Sequence, residues 1–346
     1  MDARGLDRER GSLARQRVAP CDAPPTVLIR IDESGDFNFR DAQRFRVAVI
    51  ACVIVPDKSW NAVEEFVDEK KREWGMEAEL KAQEMSVDQQ MSTLAFLERE
   101  RLPLVAVVTD SEIFDIEAQR RWRKEQVDLF EEAARRSKRA VEDPLTRERV
   151  QRIRTRLPNE RRIKPPNFLQ YFVLMPWLLS RSFSAANFCF QDLNPEDDSW
   201  IFDIAVDPRD GADPGRPGEL LRDSVDAIYA GNNETALFIP PQWPIDHPFR
   251  VRNADPEVGA VSPRQLLVGG IQTPDSQADA GLQLADFAAH VIHSVVRTQD
   301  EASIAIWQKL RLLMVPTDDG VPIKVWGASD KTTSPEAEER YRRLSA

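Results

Sequence analysis

The sequence predicts an α/β domain, and three observations carry that expectation. Short β-branched runs alternate with stretches of helical period through residues 26–297. Pro103–Thr109 (PLVAVVT) is apolar without alternation, as a strand covered on both faces is. The 346 residues are 42% hydrophobic and 30% charged, a folded chain's composition with enough apolar material for a sizeable core.

Residues 1–25 carry mixed charge and end in Pro24-Pro25, which reads as an N-terminal arm. Thr26–Asp32 (TVLIRID) and Arg46–Val55 (RVAVIACVIV) read as strands, with the turn formers Gly35, Asp36 and Asn38 between them, so a hairpin is expected. Residues 57–74 follow helical period with Asp57 as N-cap, and residues 86–99 form a helix opened by Ser86. The PLVAVVT strand then ends at Asp110. Residues 117–140 are helical and heavily charged, and Asn167–Phe183 is an apolar helix that Pro176 should kink. Trp200–Val206 is a strand, Pro208–Gly218 a Gly/Pro loop, Glu219–Ala230 a helix, 231–264 irregular, Leu266–Ile271 a strand and Ala280–Arg297 a helix. Residues 26–314 thus form one domain with a helical insertion at about 115–183, followed by a tail at 315–346 holding a short helix at 335–345.

The formal net charge of −11 argues at first against a polyanionic partner. The charge is uneven, however. Between Arg135 and Lys164 twelve Lys and Arg stand against four Asp and Glu, a local +8, so the remaining residues carry −19. Arg135, Arg136, Arg139, Arg152, Arg154, Arg161, Arg162 and Lys164 are the residues expected to meet a phosphate backbone, in competition with a plain solvated surface. Cys21, Cys52 and Cys189 are widely spaced and odd in number, which suits a reducing compartment and no disulfide scaffold. The N-terminus is charged where a signal peptide is apolar, and no run is long enough to span a bilayer, so a cytoplasmic protein without a membrane partner is expected. The sequence lacks a G-x-x-x-x-G-K-[ST] loop, a G-x-G-x-x-G turn, a G-x-S-x-G elbow and an H-E-x-x-H helix.

Acidic residues fall at the ends of the expected strands: Asp32 and Glu33, Asp110, and Asp207. Side chains at the carboxyl ends of parallel strands converge on one crevice. Carboxylates gathered there repel one another unless a cation or a proton intervenes, and hard cations such as Mg²⁺ or Mn²⁺ prefer oxygen ligands. Asp is also a common turn former, so each one alone carries the blander explanation. In the last long helix Leu282, Ala285, Ala289, Ile292 and Val296 form an apolar face, while Asp286, His290, His293 and Arg297 share another stripe. An Asp inside LQLADFAAHVI needs a partner if it is buried.

DESGDF after the first strand, ELKA at Glu79–Ala82, and DSQADAGLQLADF at Asp275–Phe287 resemble a family of bacterial and phage proteins, domain-of-unknown-function family thirty-eight hundred. The resemblance spans roughly residues 26–297, with DESG and LQxAD specific together and ELKA weak alone. It implies an RNase H-like mixed sheet flanked by helices, here carrying the charged insertion. It further implies a metal-dependent nuclease, suited to defence against mobile DNA, with an acidic site built from Asp32 and Asp286. Asp32, Asp207 and Asp286 are the expected ligands of one or two Mg²⁺ or Mn²⁺ ions. Glu33 belongs with them as a catalytic candidate, and Lys81 as a phosphate contact. Glu79, Asp110, Asp203, Asp275, Gln283 and His290 are secondary candidates. Asp110, Asp203 and Asp207 compete for the third carboxylate, and Asp207 is favoured by its place at the strand end. The alternative is an inactive module of the same fold that binds a partner protein, or a second copy of itself, through the 115–183 insertion.

Overall fold

A computed structural model describes residues 26–37, 39, 45–76, 78–114, 117, 120, 121, 123–125, 128, 169–190, 201–207, 271–298, 300–316, 322–325, 335 and 339–342. The arm at 1–25, the loop 208–218, the helix 219–230, the region 231–264, residues 266–270 of the expected strand and every basic residue from Arg135 to Lys164 lie outside the described residues.

The core is a six-stranded mixed sheet: β1 (Thr26–Gly35), β2 (Val47–Pro56), β3 (Leu104–Asp110), β4 (Ile201–Val206), β5 (Ile271–Gln272) and β6 (Lys324–Val325), in the order β5-β4-β1-β2-β3-β6. β1 and β2 form the expected antiparallel hairpin, with Asp32 opposite Ala51. β2 pairs antiparallel with β3, whereas β1–β4, β4–β5 and β3–β6 are parallel. β2 alone therefore runs against the other five.

Helices cover both faces. On one side lie α1 (Asp57–Trp74), α2 (Val87–Arg99), α4 (Ala280–Thr298) and α5 (Glu301–Leu310), and on the other α3 (Met175–Cys189). The alternation of β1 divides its side chains accordingly: Val27, Ile29 and Ile31 bury toward α3, while Leu28 buries toward α4. All ten residues of β2 are buried, which explains a run with no polar alternation.

Local signals account for most boundaries. Ser86 caps α2 through a complete capping box with Gln89. Gly75 ends α1 in the left-handed conformation, at φ 70°. Asp57 is not the cap expected at the start of α1: Pro56 holds that position and Asp57 is the first helical residue, where its charge still complements the helix dipole. Pro176 sits in the first turn of α3, and the chain before it, Gln170–Leu174, winds as a wider π turn. The expected kink thus takes the form of an overwide turn. Leu169, Leu174, Met175, Leu178, Leu179 and Phe183 bury against the sheet, so this chain's own core accounts for the apolar run without a second copy. α5 and β6 were not anticipated, and the described residues of the tail, 335 and 339–342, are helical as expected.

α4 packs on β1, β2 and α5. Its expected apolar face is fully sequestered, and Leu284, Phe287, Ala288 and Val291 are buried as well. The Asp286–Arg297 stripe is what remains partly accessible. At its start Gly281 permits close approach to the sheet, since a Cβ there would lie 2.5 Å from Arg30 Cγ. Among the described residues Cys52 and Cys189 are free thiols, and no helix is long and apolar enough to cross a membrane.

Candidate functional site

A cavity of about 410 Å³ opens where β1 and β4 end. Because Ile31 is level with Val206 in the parallel pairing, Asp32 and Asp207 come next on neighbouring strands. Adjacent strands lie about 4.8 Å apart. Both residues line the cavity, with Glu33, Ser34 and Gly35, which continue β1 in pairing with β2 past the strand end expected at Asp32. Glu79, Lys81 and Gln83 form a second wall, and Asp286 and His290 on α4 a third. Among the described residues, five carboxylates and one lysine line it.

The DESG segment, the last four residues of β1, has a steric reason for its glycine. Gly35 sits at φ 93°, and a Cβ there would drive into the Val47 carbonyl oxygen and the His293 ring. Asp32 is nearly buried and accepts the Glu33 backbone N–H at 2.6 Å. Glu33 turns to the opposite side, where its Oε2 accepts a hydrogen bond from Gln170 Nε2 in the π turn before α3. Tyr171, one residue on, is buried, and its hydroxyl is pushed up to about 12 by burial and by the charges of Asp207 and Asp32. That phenol stays protonated beside the two carboxylates at every physiological pH.

The ELKA and LQxAD segments meet through their backbones and side chains. Gln283 Oε1 accepts the Leu80 N–H at 2.8 Å, and its Nε2 donates to the Ser276 carbonyl at 2.9 Å. Asp286 Oδ2 accepts the Ala82 N–H at 3.3 Å. Burial pushes the Asp286 carboxyl up to about 6, against the pull of the Ala82 N–H, with Glu79 raising it further and Lys81 lowering it. Lys81 is half exposed, with Nζ 3.9 Å from Glu79 Oε2. Burial lowers His290, and His293 falls to about 4 through burial and the neighbouring His290 and Arg297. Both rings are neutral at pH 7.

The structure thus brings Asp32, Glu33, Asp207, Asp286, Lys81, Glu79 and His290 to one cavity. Gln283 stands behind it as a brace. Asp203, Asp110 and Asp275 are elsewhere. Asp203 shares a sheet face with Asp207, but four residues of strand separate them by about 13 Å. There it joins the buried guanidinium of Arg30 at 3.4 Å, which also pairs with Asp279 at 2.9 Å and lies 5.1 Å over the Trp60 ring. Asp110 is fully buried at the end of β3, accepting the N–H groups of Glu112 at 2.7 Å and Ile113 at 3.0 Å and the hydroxyl of Tyr341. Asp275 caps the 3₁₀ turn Ser276–Ala278.

Gln170 and Tyr171 stand at the site without having been among the expected site residues. The available signal was the glutamine itself, a polar side chain inside an otherwise apolar helical run. The oxygen-rich donor set suits a hard cation. As the side chains stand, no three His, Cys, Asp or Glu among the described residues are gathered tightly enough to ligate one ion together. No family model, curated protein or solved structure matches the chain.

Proposed function

We propose that the chain is a divalent-metal-dependent nuclease of RNase H-like fold that hydrolyses phosphodiester bonds. One observation carries the reading: Asp32, Asp207 and Asp286, from two parallel strand ends and a distant helix, line one cavity with Glu33 and Glu79. Turn formation does not explain why residues so far apart in sequence share it. Carboxylates gathered at one cavity repel one another, and a bound cation relieves that repulsion. The sheet order supports the fold assignment, since β1, β4 and β5 run parallel beside an antiparallel β2. The family resemblance of DESG and LQxAD adds to it.

In this reading Asp32, Asp207 and Asp286 hold Mg²⁺ or Mn²⁺, drawn inward from their present positions. The cation supplies Lewis-acid activation of water and of the leaving oxygen. Lys81, half exposed at the rim, meets a phosphate oxygen. Neutral His290 carries a proton to or from the reacting groups. Nucleic acid approaches through the basic segment 135–164, which makes binding salt-sensitive.

The test is direct. Purified protein titrated with Mn²⁺ in a calorimeter should bind it, and labelled DNA and RNA should be cut in its presence. Asp32→Asn and Asp286→Asn should abolish both. Unchanged cleavage by the two variants would overturn the assignment.

A second reading, a non-catalytic module of the same fold, is favoured by the bonds of Gln283 and Asp286 to the Leu80 and Ala82 N–H groups. Those bonds hold the ELKA segment without any cation. Absence of Mn²⁺ binding by the wild-type chain would select this reading, with the partner surface in the part of the 115–183 insertion that precedes the buried Leu169–Phe183 segment.

A further inference from the structure

We propose that Glu33 adds a further oxygen ligand to the ion held by Asp32, Asp207 and Asp286, that Gln170 is the positioning residue fixing which carboxylate oxygen Glu33 offers, and that the π turn enforced by Pro176 aims it there. The inference deepens the metal-dependent reading of this site and rests on it.

Gln170 is fully buried, and its amide has two halves with different fates. The Nε2 side donates to Glu33 Oε2. The Oε1 side is buried with no hydrogen-bond partner. The opposite amide orientation would set Oε1 against the carboxylate oxygen, two acceptors face to face, so Glu33 dictates the orientation. A buried acceptor left unpaired is costly, and natural proteins keep few of them. Leucine or methionine would fill the same space in an apolar helix without that cost. What glutamine adds is the donor to Glu33, a bond strengthened by the charge it meets.

The backbone explains the aim. In Gln170–Leu174 the Met175 N–H bonds the carbonyl of Gln170, five residues back. Proline at 176 has no N–H, and its ring crowds the carbonyl four residues earlier. Widening the turn relieves that crowding. One extra residue in a turn rotates everything before it by about 100° around the helix axis, the angle per residue of an α-helix. Continued back in α register, the helix would carry Gln170 away from Glu33. Tyr171 gains its place near Asp32 and Asp207 from the same turn.

The prediction follows from removing the donor while keeping the shape. Gln170→Met should weaken Mn²⁺ binding about tenfold, the size of one hydrogen bond to a charged group. In a Glu33→Gln background the same change should have no further effect on Mn²⁺ affinity. Pro176→Ala should reproduce part of the loss while helix content by circular dichroism is unchanged or higher. Wild-type and Gln170→Met chains that bind Mn²⁺ equally well would overturn the inference while leaving the metal reading intact. A wild-type chain that binds no Mn²⁺ would overturn both, and any coupling of Gln170→Met with Glu33→Gln in urea unfolding would then mark a structural bond only.

Discussion

Asp32 and Asp110 begin as the same signal: an aspartate at the carboxyl end of a buried strand in one sheet. Asp110 is enclosed completely and finds every partner at home, in two N–H groups of the turn it starts, the Tyr341 hydroxyl, and Arg340 at 3.5 Å. Asp32 is also nearly buried, but it faces a cavity shared with four other carboxylates. The difference lies in neither residue's own sequence neighbourhood. β3 stands on the far side of β2 from β4, and the C-terminal tail folds over its end, whereas β1 has a parallel neighbour whose end carries a second acid. A strand-end aspartate whose hydrogen bonds are satisfied locally is a structural element. Asp32 instead lines a cavity together with acids from other elements, which is why the metal-dependent proposal rests on it and not on Asp110.

The widest separation between the two should appear in activity. Asp32→Asn is expected to lower metal-dependent cleavage by more than the roughly 10–100-fold that changes outside the ligand set cost, while its urea midpoint holds or rises because a repelling charge is gone. Asp110→Asn should leave the cleavage rate per folded molecule within a factor of about two, a size far below one lost charge-assisted bond. Equal losses in the two variants would erase the distinction.

Stability should invert the ranking. Asp110→Ala strands buried donors and removes the anchor of the tail, so a cost of about 4 kcal/mol is expected in urea unfolding. Asp32→Ala should cost less than half of that. A small loss for Asp110→Ala would mean that the Tyr341 and turn contacts are replaced by water.

The elements were legible where one local rule decided them. Ser86 with Gln89, the ten apolar residues of β2 and the face of α4 each announce their structure within a few residues. What was hidden is pairwise and distant. Nothing near Asp110 in the sequence announces Tyr341, 231 residues on, and nothing near Asp203 announces that Arg30 will claim it. Gln283 and Asp286 read correctly as polar exceptions in an apolar helix, yet their partners, the backbone of Leu80 and Ala82, carry no side-chain signal at all. Gln170 escaped because a π turn shifts the helical phase, and phase is what periodicity reads.

Two groups on α4 beside the cavity should pull the pH dependence of stability in opposite directions: the raised carboxyl of Asp286 adds stability as the pH falls below about 6, and His293 removes it. His293 packs against Gly35 at the cavity end of β1 and is pushed from its ordinary 6.5 to about 4, by burial first and then by His290 and Arg297. Between those values the unfolded chain binds the proton and the folded chain does not. The His293 contribution is therefore full above about pH 6.5 and is lost as the pH falls toward 4, by about 2 kcal/mol after allowance for partial exposure. His293→Gln should flatten that part of the pH profile, seen in urea midpoints at pH 4.5 and 7. A profile unchanged by the substitution would place the acid sensitivity elsewhere.

The smallest effect tests whether Asp110's satisfaction is shared among its donors. Tyr341→Phe keeps the ring, which belongs to the core cluster on the α4 side of the sheet, and removes only the hydroxyl that meets Asp110. The carboxylate keeps the N–H groups of Glu112 and Ile113. One bond to a charged group is lost, so the urea-derived stability should fall by about 1.5 kcal/mol, with Mn²⁺ binding at the distant cavity unaltered. Because burial and the nearby Asp110 charge both hold the Tyr341 phenol well above its ordinary range, the loss should be the same at pH 6 and pH 9. A loss confined to one pH, or a change in Mn²⁺ affinity, would show that the two strand ends communicate and that Asp110 is not the self-contained counterpart of Asp32.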